Sequence, residues 1–173
     1  MKFLKFTSYV FPKFAAKIAL NLFLTPEKIK RPPHEQTWYL NAQKFMINDE
    51  FAAYEWGNKE NPVILLVHGW AGRGTQMTSF TKSLLDAGFR VIALDGPAHG
   101  DSLGEQTNAG DFARFLVTAQ QHIGEIHGII AHSFGAGCSV LALNFGLKVK
   151  NLVLIAGPSD YAAIVDTFLG FLK

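Results

Sequence analysis

Cysteine is nearly absent. Cys138 stands alone among 173 residues, so an internal disulfide and a thiolate zinc cluster are both excluded and a reducing, cytoplasmic setting is favoured. Charge of one sign is lacking as well: 16 Lys and Arg against 14 Asp and Glu leave +2. That is too balanced for the basic stripe that grips a phosphate backbone, which turns the search from nucleic acid to small molecules. No apolar run reaches the ~18 residues of a membrane span. Pro12, Lys13, Lys17 and Asn21 interrupt the apolar start, and no small-x-small cleavage pattern follows, which argues against a secretory signal. Repeats and low-complexity tracts are missing too. What remains, 49% hydrophobic and 17% charged, is sized for one globular domain rather than a disordered linker.

The charge that is present lies unevenly. Residues 1–37 hold seven basic and two acidic residues, +5, and the remainder of the chain carries −3. Phe14, Ile18 and Leu22 recur every four residues, with Lys13, Lys17 and Asn21 one position earlier. This spacing predicts an amphipathic helix whose apolar stripe packs on its own domain, or else docks on an anionic membrane surface. In the second case Lys2, Lys5, Lys13 and Lys17 supply the attraction, about 1 kcal/mol each near such a surface. Phe3, Phe6, Tyr9, Phe11 and Phe14 are then the interfacial aromatics, and the protein is cytoplasmic with peripheral contact at the inner face of the membrane through residues 1–24.

From Pro32 onward the pattern becomes strands alternating with helices. Pro32 and Pro33 predict an extended linker, and residues 38–47 and 51–56 an antiparallel pair of strands across Asn48, Asp49 and Glu50. Val63, Ile64, Leu65, Leu66 and Val67 are unbroken apolar sequence, as a parallel strand covered on both faces requires. A glycine-rich loop and a helix with Met77, Phe80, Leu84 and Leu85 follow, stopped by Gly88. Residues 91–94 form the next strand. Asn108 caps a helix that turns Phe112, Phe115, Leu116 and Ala119 inward. Residues 128–131 predict a strand, 134–145 a helix closed by Gly146, 152–155 another strand, and a last helix carries Ile164, Val165, Phe168 and Leu169. The expected fold class is α/β, a mostly parallel, doubly wound sheet with right-handed crossovers. The basic helix and linker occupy 1–37 and the α/β core 38–173.

In such sheets chemistry gathers at the carboxyl ends of the strands. Ala131-His132-Ser133-Phe134-Gly135 lies between a strand and a helix. A serine on so sharp a turn needs small residues two positions either side, because strand and helix backbones pass close there. Ala131 and Gly135 satisfy that need, although a plain helix N-cap serine fits the pentapeptide equally well. His68-Gly69-Trp70 follows the third strand, and Asp95-Gly96-Pro97-Ala98-His99-Gly100-Asp101-Ser102 the fourth. With these three segments in this order, residues 38–158 resemble the α/β-hydrolase family. The run Val67-His68-Gly69-Trp70-Ala71-Gly72-Arg73-Gly74 and the basic N-terminal segment are similar to a bacterial-type group of serine hydrolases. Ala131 and Ala98 stand where the family usually has glycine.

The resemblance implies that Ser133 is the nucleophile and that the backbone N–H groups of Trp70 and Phe134 form the oxyanion hole, their side chains walling the pocket. Two such donors stabilise the oxygen that turns anionic when serine attacks an acyl carbon, each worth about 3 kcal/mol by the effect of removal. The implied substrate is a small-molecule carboxylic ester or acyl lipid, hydrolysed through an acyl-serine without metal or cofactor. Aspartate in place of Ser133 would instead imply epoxide or haloalkane chemistry. His122, Glu125 and His127 are grouped in sequence but read as solvated surface.

A serine nucleophile needs a histidine oriented by a carboxylate. The six histidines are His34, His68, His99, His122, His127 and His132, and the family's base comes after the last strand, later than all of them. His68, Gly69 and His99 are expected to hydrogen-bond backbone or line the pocket, and His132 to point to the opposite side of the strand. Asp160 is a candidate acid, with a surface or N-cap role as the plainer reading. Two more strands, the usual carboxylate and the base are expected to lie beyond residue 173. The chain therefore reads as the N-terminal part of a longer hydrolase, incomplete at one sheet edge and inactive alone. The alternative is a non-catalytic binding or interaction module that keeps the fold.

Overall fold

The computed structural model describes residues 11–171; Lys2, Phe3, Lys5, Phe6 and Tyr9 lie outside them. Two helices come first, α1 (Pro12–Leu24) and α2 (Pro33–Asn41), then strands β1 (Gln43–Ile47), β2 (Phe51–Trp56) and β3 (Val63–Val67). A 3-10 helix (Gly74–Phe80) runs into α3 (Thr81–Asp86), followed by β4 (Arg90–Leu94), α4 (Ala109–Ile123), β5 (Ile126–His132), α5 (Phe134–Asn144), β6 (Val149–Ile155) and α6 (Tyr161–Phe171). The six strands form one sheet in the order β1-β2-β4-β3-β5-β6. β1, β2 and β4 pair antiparallel, while β3 pairs parallel with β4 and β5, and β5 with β6.

The unbroken apolar run of β3 has a direct use. Val63, Leu65 and Val67 face a core shared with Phe112, Leu116 and Ala119 of α4 and Ala136 and Ala142 of α5. Ile64 and Leu66 face the other core, with Tyr54, Trp56, Val91 and Met77. Period-two alternation thus puts apolar side chains on both faces because both faces carry helices. Asn108 caps α4, its Oδ1 accepting from the Asp111 N–H at 3.0 Å. The β1–β2 turn has Asn48 and Asp49 at positive φ, 51° and 59°, the left-handed pair that a tight hairpin demands.

Two expectations are corrected. Residues 33–41 are the helix α2, not a linker running into a strand. Pro33 takes a first-turn position, where its missing N–H is no loss, and extended Pro32 precedes it. The strand-like Trp38 and Tyr39 pack on the second core instead, with Trp38 edge-on to Trp56 at 5.8 Å. The α1 stripe is also displaced. Phe14 and Leu22 are more than half exposed, and Ala15 is the buried residue, with Ile18, Ala19, Phe23 and Leu24 half-buried. α1 is apolar on several sides, and its orientation is fixed by its last turn, where Leu24 O accepts from the Thr107 N–H at 2.9 Å. β6 is the outer strand of the described sheet, with Val153 and Leu154 exposed.

Candidate active site

The parallel strands β3, β4 and β5 all end at one edge, and their following loops meet there. After β5 the chain reverses into α5 through Ser133 at φ 49° and ψ −121°, and Ala71, Ala98 and Ala156 in the loops after β3, β4 and β6 also stand at positive φ. Backbone held this way costs on the order of 1–3 kcal/mol and persists only where its surroundings dictate it. They do so here. A Cβ on Gly135 would stand 2.1 Å from His68 O, the Ser133 N–H donates to Ile155 O at 2.8 Å, and Ala131 is fully buried. Gly69 comes equally close: a Cβ there would lie 3.1 Å from both Ser133 Cβ and His132 Nδ1. Small residues therefore let β3's loop press against the Ser133 turn.

Ser133 opens into a cavity of about 760 Å³, walled by Trp70, Phe134, residues 156–160, α6 and the last turn of α1. Trp70 and Phe134 meet edge-on at 5.0 Å. Neither backbone N–H bonds to a described residue, and the Ser133 hydroxyl likewise has no described hydrogen-bond partner. The Phe134 N–H, at the start of α5, is of the kind open to an anionic oxygen.

Both loop histidines are committed to backbone. His68, fully buried, has Nδ1 2.7 Å from Gly69 O, and its Nε2 accepts from the Gly96 N–H at 2.9 Å. His99 has Nδ1 2.8 Å from Pro97 O, and its Nε2 accepts from the Ala71 N–H at 3.1 Å. An acceptor Nε2 fixes each ring as the neutral tautomer. Burial holds both down to about 4. Neither ring nitrogen is left to receive a proton from serine. His132 is exposed, with Nδ1 close to Gly69, and makes no described side-chain hydrogen bond. Asp160 Oδ1 accepts from the N–H groups of Ala162 and Ala163 at 2.8 and 3.3 Å, the contacts of a helix cap on α6.

His122, Glu125 and His127 go separate ways. His122 stacks on Phe45, Glu125 pairs with Lys150, and His127 lies against Phe89 and Asn151.

Several residues shape the site through contacts that the local sequence does not reveal, although Asp95, Asp101 and Arg73 stand within its motifs. Asp95 is fully buried, accepting from the Gly74 N–H at 2.6 Å, the Tyr54 hydroxyl at 2.6 Å and the Asp101 N–H at 2.8 Å. Burial pushes its carboxyl up, and those donors oppose the shift. Burial and the neighbouring Asp95 raise Tyr54 far above the ordinary phenol value, so it remains a donor. Arg31 reaches Tyr54, Asp101 and Asp95 from the N-terminal segment. Arg73, directly after the His68–Gly72 loop, is buried against Glu35 in a two-pronged pair at 2.7 and 2.7 Å, with the Thr75 hydroxyl also donating to Glu35. Phe23 and Phe168 roof the cavity.

A mostly parallel sheet with a strained serine turn and facing glycine loop at its carboxyl edge defines a hydrolase class of α/β protein. Residues 62–172 match the alpha/beta hydrolase fold, and the chain belongs to that family. It is 36% identical over 103 residues to a 2-hydroxy-6-oxononadienedioate/2-hydroxy-6-oxononatrienedioate hydrolase of Escherichia coli O139:H28, covering 54% of this chain and 35% of that protein. In structure it is similar to a carboxylesterase of Nitrososphaera gargenis, with TM-score 0.60, 24% identity and coverage of 70% of this chain and 47% of that one. The thioesterase domain of the curacin biosynthetic pathway matches with TM-score 0.59, 24% identity and coverage of 76% and 53%. These two likenesses concern the fold. The chain spans about a third of the length of the curated relatives it matches. Among the described residues no helix is long and apolar enough to cross a membrane.

Proposed function

We propose that this chain carries the nucleophile and oxyanion hole of a serine hydrolase that cleaves carboxylic esters or acyl lipids. Ser133 is the nucleophile, and the N–H groups of Trp70 and Phe134 receive the developing oxyanion. The observation that carries this reading is the Ser133 turn: a non-glycine residue at φ 49° opening into a largely apolar cavity also lined by Trp70 and Phe134, whose N–H groups bond to no described residue. Strain kept at a solvent-accessible hydroxyl is a mark of function rather than of packing. In the reaction Ser133 Oγ bonds to the acyl carbon as its proton passes to a base, the alcohol leaves with a proton, and water then releases the acid.

On this reading the base is not His68 or His99, whose ring nitrogens are both occupied, and Asp160 serves α6 rather than a histidine. A fluorophosphonate applied to the protein in its own cells is expected to label Ser133, as mapped by mass spectrometry, and Ser133→Ala to abolish the label. No label on the native protein would leave the non-catalytic binding module as the better reading. The purified 173-residue chain is expected to retain at most the ~10³–10⁴ acceleration that an oxyanion hole and binding give without a triad. A normal ester-hydrolysis rate lost on Ser133→Ala would bring His132 back as base.

Peripheral membrane contact is part of this proposal. Lys13 and Lys17 are exposed on α1 beside Phe11, Phe14 and Leu20, each more than half exposed, the mixed charge and apolarity that anionic bilayers attract. Flotation with phosphatidylserine vesicles is expected to weaken in Lys13→Glu/Lys17→Glu; unchanged flotation would refute the contact.

A further inference from the structure

α1 adds nothing to the sheet, yet its last turn sits over the cavity. Phe23 stacks with Trp70 at 6.5 Å between centroids and meets Phe168 edge-on at 4.8 Å. With Phe134 at 5.0 Å from Trp70, four rings run from beside Ser133 out to α6. The turn is held by the loops that build the site. The Thr107 N–H donates to Leu24 O at 2.9 Å, Lys28 Nζ to Ser102 O at 2.9 Å and Arg73 Nη1 to Ile29 O at 3.0 Å. Roof and floor are therefore one connected body, and the position of Phe23 is set relative to Ser133.

We propose that Phe23 is a specificity-determining residue, the stop that decides how long an unbranched acyl group the Ser133 cavity accepts. This rests on the reading of the cavity as an acyl site. The walls facing Phe23 are apolar, with Ala163, Ile164 and Phe168 among them, and the carboxylate of Asp160 is bound to backbone N–H groups. Alkyl chain suits this lining better than a second charged group. A ring in the wall of such a cavity limits the chain it can hold, because each methylene that reaches the ring must leave the cavity or displace it.

The test uses Ser133→Ala, which binds esters without forming an acyl-enzyme, and calorimetric titration with the methyl esters of butanoic, hexanoic, octanoic and decanoic acid. Each methylene that fits is expected to tighten binding by about fourfold until a plateau. Phe23→Ala should move the plateau to a longer ester, and Phe23→Trp to a shorter one. Phe23→Leu, which keeps an apolar side chain of intermediate size, should fall between Ala and the parent, so the series still decides if the alanine variant fails to fold. An unmoved plateau, including one with uniformly weaker binding, overturns the proposal by making Phe23 merely structural. So does failure of the parent to bind any of the four. The reading of Ser133 fails separately, by absence of fluorophosphonate label, and a moved plateau would then still assign Phe23 as the length stop of an apolar binding cavity.

Discussion

On one side of the Ser133 cavity, the loops after β3 and β4 have their polar groups consumed: His68 and His99 by backbone, Asp95 by three donors, Arg73 by Glu35. On the other side, residues 156–160 and 162–170 are largely exposed, and α6 is fastened by the Asp160 cap, with Ile164, Val165 and Leu169 open to solvent. Both sides touch the same cavity. On the proposed reading the first side holds the Trp70 N–H still, which is what a preorganised oxyanion site requires. The second has fewer fixed polar contacts. Rigidity is thus greater on the side that carries the loop after β3.

The comparison breaks most severely at Glu35→Ala. Removing the carboxylate strands the buried Arg73 guanidinium, a loss of ~3–5 kcal/mol for one partner of a buried pair, read as a fall in denaturation midpoint. Replacing both, Glu35→Met with Arg73→Met, is expected to cost much less than the single change. Acid is the next way to loosen the same side. His68 is held at about 4 against an ordinary value of 6.5, so its contribution is complete above pH 6.5, drains as pH falls, and is gone below 4. That amounts to about 3 kcal/mol, with His99 adding in the same direction. Urea melts at stepped pH check it; a midpoint flat across that window contradicts the buried neutral tautomers. On the looser side the effect is smallest. Asp160→Ala should cost ~1 kcal/mol as lost capping, visible as faster amide exchange in α6 while exchange in β3 stays unchanged.

The same two sides differ in how legible they are. β3, the Asn108 cap and the Ser133 turn are written in adjacent residues: an apolar run, a capping side chain, a serine between small neighbours. The three motifs each follow a strand, which is enough to place their loops at one sheet edge. Helix α2 was hidden because Pro32 and Pro33 suit a linker as well as a helix start, and Trp38 and Tyr39 favour strands locally. What decides for the helix is Glu35, whose partner Arg73 is 38 residues away. The Arg31 contacts with Asp95 and Asp101 span 64 and 70 residues, beyond any periodicity. Phe23 was one aromatic among many in a greasy segment, and its stripe pointed at Phe14 and Leu22 instead. The docking of α1 is held by bonds to residues about eighty positions later, Thr107 to Leu24 and Gln106 to Thr25 among them.

That docking has a consequence for the order in which the molecule is made. α1 is synthesised first, but its dock, from Ser102 to Thr107, is synthesised about eighty residues later. At about 5–20 residues per second, the helix waits roughly four to sixteen seconds on the ribosome with its aromatic side chains unplaced. During that interval it is a cationic, apolar stretch open to capture by a chaperone or by a bilayer. Phe23 is thus translated well before the residues that hold its turn in place.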